Sequence, residues 1–190
     1  MAYLTRDQLM HLGFKYIGKN VKISDKAAIY NHGEIEIDDN SRIDDFCVVS
    51  GRVVVGKYCH ITPMCIVAGG KPGITLLDFS TLAYGVKVFA QSDDYSGSTL
   101  ANSLIPKKYK KEILLPVNLG KHVIVGAGAI ILPGVDVAEG CSVGAMALLT
   151  KSTQPWGIYV GNPARRFKER KRDLLELEKQ FLLEVINDPV

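Results

Sequence analysis

A chain of 190 residues, 47% hydrophobic and 23% charged, is expected to form one domain with a substantial core, with room for a small appendage. A formal net charge of +3 is too mild to point to nucleic acid, and no run approaches the ~18 apolar residues of a membrane helix. The polar, mixed start lacks the basic and apolar regions of a signal peptide, so a cytoplasmic location is the default expectation. The four cysteines show no Cys-x-x-Cys and no metal spacing with histidine, which predicts reduced thiols.

The first predicted element is a short helix from Thr5 to Phe14. Thr5 and Gln8 form a capping-box pattern, and Leu4 can staple onto Leu9. Its expected role, within a cap over residues 1–20, is to cover an open end of the main body of the chain.

From Ile23 and Ile29 a period of six emerges, ragged at first. It is strict through Ile37, Ile43, Val49, Val55, Ile61 and Val67. After a slip at Gly69-Gly70-Lys71-Pro72-Gly73 it resumes at Leu76, Leu82 and Val88. It returns again at Leu119, Val125, Ile131, Val137, Val143 and Leu149. Four positions after these residues stands a small or compact one: Ser41, Cys47, Val53, Cys59, Cys65, Ser80, Val86, Val123, Ala129, Val135, Cys141 or Ala147. All four cysteines fall in this column, where they read as small buried hydrophobes. Gly56, Gly120, Gly126 and Gly144 directly follow the aliphatic position, as though a corner there needed a permissive backbone. A period of six is neither helical nor alternating. It describes a short strand, a turn and another strand. Stacked coils bury a common aliphatic column that no single repeat could bury.

Between Val88 and Leu119 the period lapses, giving a loop at about 89–118. A loop this long in a compact repeat is usually functional, although a tolerated insertion would look the same. Beyond Pro163, within the segment 164–190, Arg165 to Ile186 reads as a helix. Phe167, Leu174, Leu177, Phe181 and Val185 line one face. That face would pack on the coil or on a neighbouring subunit. The basic run Arg165, Arg166, Lys168, Arg170, Lys171 and Arg172 raises a membrane-surface alternative, which Glu176, Glu178 and Glu184 oppose.

The repeat over Val21 to Arg166 resembles the hexapeptide-repeat acyltransferases, in particular their sugar O-acetyltransferase branch. The resemblance implies an all-β, left-handed parallel β-helix with three hexads per coil, spanning 21–163. It also implies transfer of an acetyl group from acetyl-CoA to a sugar hydroxyl or amine, in O-antigen, capsule or other glycoconjugate synthesis. A homotrimer with active sites between subunits is implied, with a sugar or nucleotide-sugar acceptor and no metal.

Acyl transfer needs a base, an oxyanion donor and a groove for the thioester. Ala127 and Ala145 are eighteen residues apart and follow Gly126 and Gly144, so they should stack as a smooth strip for pantetheine. The resemblance adds Thr150-Lys151 and the Gly161-Asn162-Pro163-Ala164-Arg165 exit as cofactor contacts. Arg165 and Lys168 are suited to nucleotide phosphates; for Lys151 and Arg165 a solvated basic surface is the alternative to phosphate contact. Trp156 could shield an adenine or simply pack.

Where family members of this type carry a histidine before the loop, this chain reads Ser92-Asp93-Asp94-Tyr95-Ser96-Gly97. Asp93 or Asp94 could orient a base, bind sugar hydroxyls or act as base. Of the four histidines, His11 lies in the first helix, His32 in a ragged turn, and His122 on an outward position. His60, expected at a corner, is the candidate base, with Asp93 meeting it across a subunit boundary. Thr62, Gly70, Lys71 and Tyr95 are candidate substrate contacts. Two other readings compete. A zinc hydratase needs three convergent histidines, and His32, His60 and His122 have no ligand-like spacing. A non-catalytic assembly protein would leave the Ala127/Ala145 strip without a purpose.

Overall fold

In the computed structural model, described over residues 2–187, the hexad positions project into one interior. Three parallel stacks of short strands form the faces of a left-handed β-helix. On face 1, Ile23, Ile43, Ile61, Leu82, Val125, Val143 and Tyr159 lie in register. On face 2 the column is Ile29, Val49, Val67, Val88, Ile131 and Leu149. On face 3 it is Ile17, Ile37, Val55, Leu76, Leu119 and Val137. All of these from Ile37 to Leu149 are buried. Full burial of such a side chain contributes about 1.5–3 kcal/mol, so these columns carry the fold. The small-residue column is buried throughout as well, and its four cysteines are free thiols. Burial pushes the Cys59 thiol up to about 12, which suits packing and not reactivity.

The hexad glycines are present for a different reason than a permissive φ. The left-handed conformation falls two residues later in the corner, at Tyr58, His122, Gly128 and Met146. At Gly126 a Cβ would instead stand 2.5 Å from the Ala145 nitrogen of the next coil. Close approach of coils about 4.8 Å apart excludes the side chain.

The slip at Gly69–Gly73 is no loop. Ile66–Leu76 is one continuous strand that rounds the corner between faces 2 and 3 beside Val48–Val55. Register shifts around Gly51 absorb the extra residues. Gly51 and Gly69 permit the crossing: a Cβ on Gly51 would lie 2.4 Å from the Gly70 nitrogen, and one on Gly69 2.0 Å from the Arg52 carbonyl oxygen.

Helix α1, Arg6–His11, forms with both halves of the Thr5/Gln8 capping box and buries Leu9 in the end of the coil. The helix expected from Arg165 starts only at Leu174. Arg165–Glu169 is a strand, antiparallel to Gly157–Val160. The last coil leaves a row of unpaired backbone groups, and pairing that edge outweighs local helical spacing. Helix α2, Leu174–Asn187, then lies against the corner between faces 3 and 1, where Tyr58 stacks on Phe79 and Phe79 on His122. Phe181 meets the stack edge-on. Expectations that touched Met1 and residues 188–190 lie outside the described residues. Among the described residues no helix is long and apolar enough to cross a membrane.

Candidate active site

The corner between faces 1 and 2 carries the Ala127/Ala145 strip. The coil register stacks Asp44, Thr62, Ala83, Gly126 and Gly144 in one column, and Asp45, Pro63, Tyr84, Ala127 and Ala145 in the next. Ala127 and Ala145 are exposed and lie one above the other, as their spacing implied. The strip continues upward into the exit segment, because the Leu148 amide donates to Gly161 O and the Ala164 amide to Leu148 O. Arg165 is exposed beside it, its guanidinium donating to the Ala164 carbonyl at 2.9 Å. Thr150 and Lys151 are exposed on the far side of face 2, past Leu148–Leu149. Lys168 pairs with Ile158 on face 1, its ammonium over the Phe167 ring. The cofactor candidates therefore spread over the top two coils and do not all share one edge.

His60 stands on the flat of face 1, in the strand His60–Ile61, two residues before that corner and not at it. Thr81 and Ile124 succeed it on the coils above, so the foot of the strip lies two coils, about 10 Å, above the base candidate and is displaced sideways toward the corner. Its ring partner is neither Asp93 nor Asp94. His60 Nε2 lies 2.8 Å from Asp44 Oδ2. The Asp44 side chain is 2% exposed and also accepts from Arg42 Nε at 2.5 Å, Arg42 Nη2 at 3.0 Å and the Tyr3 hydroxyl at 3.3 Å. Burial alone would raise its pKa, but the hydrogen bonds from Arg42 and His60 outweigh that and hold the carboxyl below the usual range. Sequence reading missed Asp44. The signal was available in the hexad register, which puts Arg42 under His60 and Asp44 under Thr62. Thr62 itself is buried.

The acidic pair belongs to the opposite edge of face 2. Gln91–Ser92 pairs antiparallel with Ile113–Leu114, so the long loop leaves and re-enters at the corner between faces 2 and 3. Asp94 is consumed within it, accepting from the Ser96 amide at 2.9 Å and from the hydroxyls of Ser96, Ser98 and Thr99. The Ser96 amide first, then these hydroxyls, hold its carboxyl far below the usual range. Asp93 is less encumbered: it accepts from the Asn102 amide at 3.2 Å and lies 3.7 Å from the Lys110 ammonium. Tyr95 is 92% exposed and Lys71 is exposed. Gly70 lies beside the Gln91 side chain and has a φ of +51°, a conformation that favours glycine.

One chain thus carries the His60 edge and the Asp93 edge on either side of face 2. The outward column between them is Val48, Ile66, Lys87, Ile130 and Leu148, apolar except for Lys87 in its middle. Phe46, Met64 and Met146 stand exposed along the strip's corner.

The remaining histidines are otherwise engaged. His122, expected outward, is buried beneath α2 with Nε2 2.8 Å from Glu178 Oε2, because the helix crosses that corner. His32 meets the Phe14 ring. Among the described residues no group of three or more His, Cys, Asp or Glu could hold a metal ion, so His32, His60 and His122 do not converge as a zinc hydratase would require. Trp156 is a packing residue, laid against Gly140 with the Arg172 guanidinium over its ring.

No family model matches the sequence. The chain is 39% identical to the dTDP-4-amino-4,6-dideoxy-D-glucose acyltransferase of Escherichia coli, over 99% of both chains. It superposes on AntD, an N-acyltransferase from Bacillus cereus solved with dTDP and 3-hydroxybutyryl-CoA. That match has a TM-score of 0.95 and 45% identity, and it covers 96% of this chain and 97% of that one. A maltose O-acetyltransferase from Clostridium difficile shares the fold alone, at a TM-score of 0.60 and 23% identity over 87% of this chain and 74% of that one. A β-helix of stacked hexads, a bare corner strip and similarity along the whole length agree, and the chain belongs to the hexapeptide-repeat sugar acyltransferases.

Proposed function

We propose that this acyltransferase carries an acetyl group from acetyl-CoA to the amine of a dTDP-linked 4-amino-4,6-dideoxy sugar. Similarity over 99% of both chains to an enzyme named for that acceptor carries the reading. It is supported by AntD, an N-acyltransferase solved with dTDP and a coenzyme A thioester. Of the hydroxyl and the amine that the resemblance left open, these relatives favour the amine. Pantetheine lies along Ala127 and Ala145, with Arg165 and Lys168 toward the nucleotide phosphates. His60 Nδ1 takes a proton from the attacking amine. The nitrogen bonds to the thioester carbonyl carbon, a backbone N–H at the corner holds the oxyanion, the C–S bond breaks, and the thiolate leaves as coenzyme A after protonation.

The site is shared between copies. Packing the largely apolar face 2 of one chain against another brings the face 1 side of one copy, with His60, toward the Asp93 edge of the next. Asp93, Tyr95 and Lys71 then meet the nucleotide sugar, with Asp94 organising the loop that carries Asp93 and Tyr95. Such an assembly is the homotrimer, working in the cytoplasm and supplying sugars to glycoconjugates.

The test is mass spectrometry of dTDP-4-amino-4,6-dideoxyglucose incubated with acetyl-CoA, beside light scattering of the same sample. One acetyl group gained by a trimeric protein is expected. His60→Ala should cut turnover by about 10²–10⁴-fold. No product from acetyl-CoA or from 3-hydroxybutyryl-CoA refutes the reading.

A further inference from the structure

We infer that Asp44 is the positioning residue for His60: it fixes the imidazole by Nε2 and reserves Nδ1 for the acceptor's proton. The inference rests on the reading of His60 as base and adds a residue to it.

Lone pairs and donors decide the tautomer. An ionised carboxylate only accepts hydrogen bonds. Arg42 takes one site on each Asp44 oxygen, Nε on Oδ1 and Nη2 on Oδ2. Tyr3 takes a further site on Oδ1, and His60 Nε2 a further site on Oδ2. His60 Nε2 must therefore carry its hydrogen, and the neutral ring has its free lone pair on Nδ1. Arg42 and Tyr3 would suffice if the carboxylate served only to anchor the N-terminal segment. Its geometry leaves a further site on the second oxygen for a ring that is itself 37% exposed. A partly exposed ring held by a buried carboxylate is the arrangement that a base needs: a fixed tautomer, a fixed plane and one nitrogen open to the acceptor.

The other charged or titratable groups facing this cluster are Arg42 and Tyr3, Tyr84 near Arg42, and Asp45, which sits near Lys26 and accepts from Ser24. The carboxylate that bonds the His60 ring is that of Asp44.

The experiment compares kcat/KM across pH for the full-length protein, Asp44→Asn and His60→Gln, and reads the imidazole ¹⁵N signals of the unaltered protein. His60→Gln identifies the His60 signals by their disappearance. Expected are the Nε2–H tautomer in the unaltered protein and a fall in kcat/KM of at least ~10-fold in Asp44→Asn. The acid limb should also move about one pH unit lower, because loss of the neighbouring anion makes the imidazolium easier to deprotonate. An acid limb unmoved in Asp44→Asn, with His60→Gln inactive, overturns the role of Asp44 and leaves His60 standing. Full turnover in His60→Gln overturns the base assignment and the role of Asp44 together. If Asp44→Asn does not fold, the tautomer decides, since an Nδ1–H ring in the unaltered protein refutes the inference.

Discussion

Gly69→Ala and Gly85→Ala add the same methyl group and should differ several-fold in cost. At Gly69 the added methyl would stand 2.0 Å from the Arg52 carbonyl oxygen and 3.1 Å from a Val53 methyl. Arg52 belongs to a strand hydrogen-bonded on its other side to Ile35–Ile37, so the obstacle is backbone that cannot rotate away. Relief requires opening two coils by more than an ångström, and overpacking of this kind costs about 3 kcal/mol, at the upper end of its usual range. At Gly85 no atom lies within 4 Å of the built methyl, and the only obstacle is a φ of +68°. That conformation costs an L-residue ~1–2 kcal/mol, reduced by ~0.4–1 kcal/mol because glycine's unfolded-state freedom is removed. Phe46, Met64 and Met146 already hold side chains at φ of +61°, +64° and +58° in the same corner column. For a chain of this length Tm should fall by roughly 6–12 °C for Gly69→Ala and by less than roughly 6 °C for Gly85→Ala. Thermal and urea unfolding at one fixed protein concentration measure both. Equal losses, or a larger one at Gly85, would refute the claim that contact between coils costs an added side chain more than a positive φ does.

Two further outcomes are expected. Ala145→Phe, on the exposed strip, should raise KM for acetyl-CoA at least ~10-fold while leaving Tm nearly unchanged, since surface positions seldom alter stability by more than ~0.5 kcal/mol; an unchanged KM places the thioester elsewhere. Stability should also fall in acid. In Asp44, and in Glu178 beneath α2, burial acts to raise the pKa and is outweighed, by Arg42 and His60 in one case and by Lys121 and His122 in the other, so both folded pKa values are lowered. A depressed folded value contributes stability above the ordinary values of 3.8 and 4.5, and that contribution is lost as pH drops through the folded ones. Glu178→Gln should flatten the fall in Tm below pH 4.5, and an unaltered acid profile would show that the carboxylate of Glu178 adds nothing.

The repeat was legible without coordinates because its cause is local and recurring. An aliphatic residue at every sixth place and a compact one four later can be buried together only by coiling. Isolated slips such as Gly69–Gly73 do not hide that. The same register correctly stacked Ala127 on Ala145 and explained the cysteines. The capping box at Thr5 and Gln8 was equally local, and it formed.

The features that local pattern could not supply depend on groups far apart in sequence meeting at a distance of a few ångströms. Asp44 reaches His60 because the carboxylate and the ring sit on adjacent coils and Arg42 holds the former in place. His122 is buried because a helix some fifty residues later crosses its corner, with Glu178 as partner. Arg165–Glu169 turned from helix to strand because the last coil offered an unpaired edge, a property of the finished stack that no six-residue window contains. Periodicity therefore determined what is inside; the meeting of coils, edges and helix decided which polar groups face one another, because hydrogen-bond partners are selected by distance in space and not by spacing along the chain.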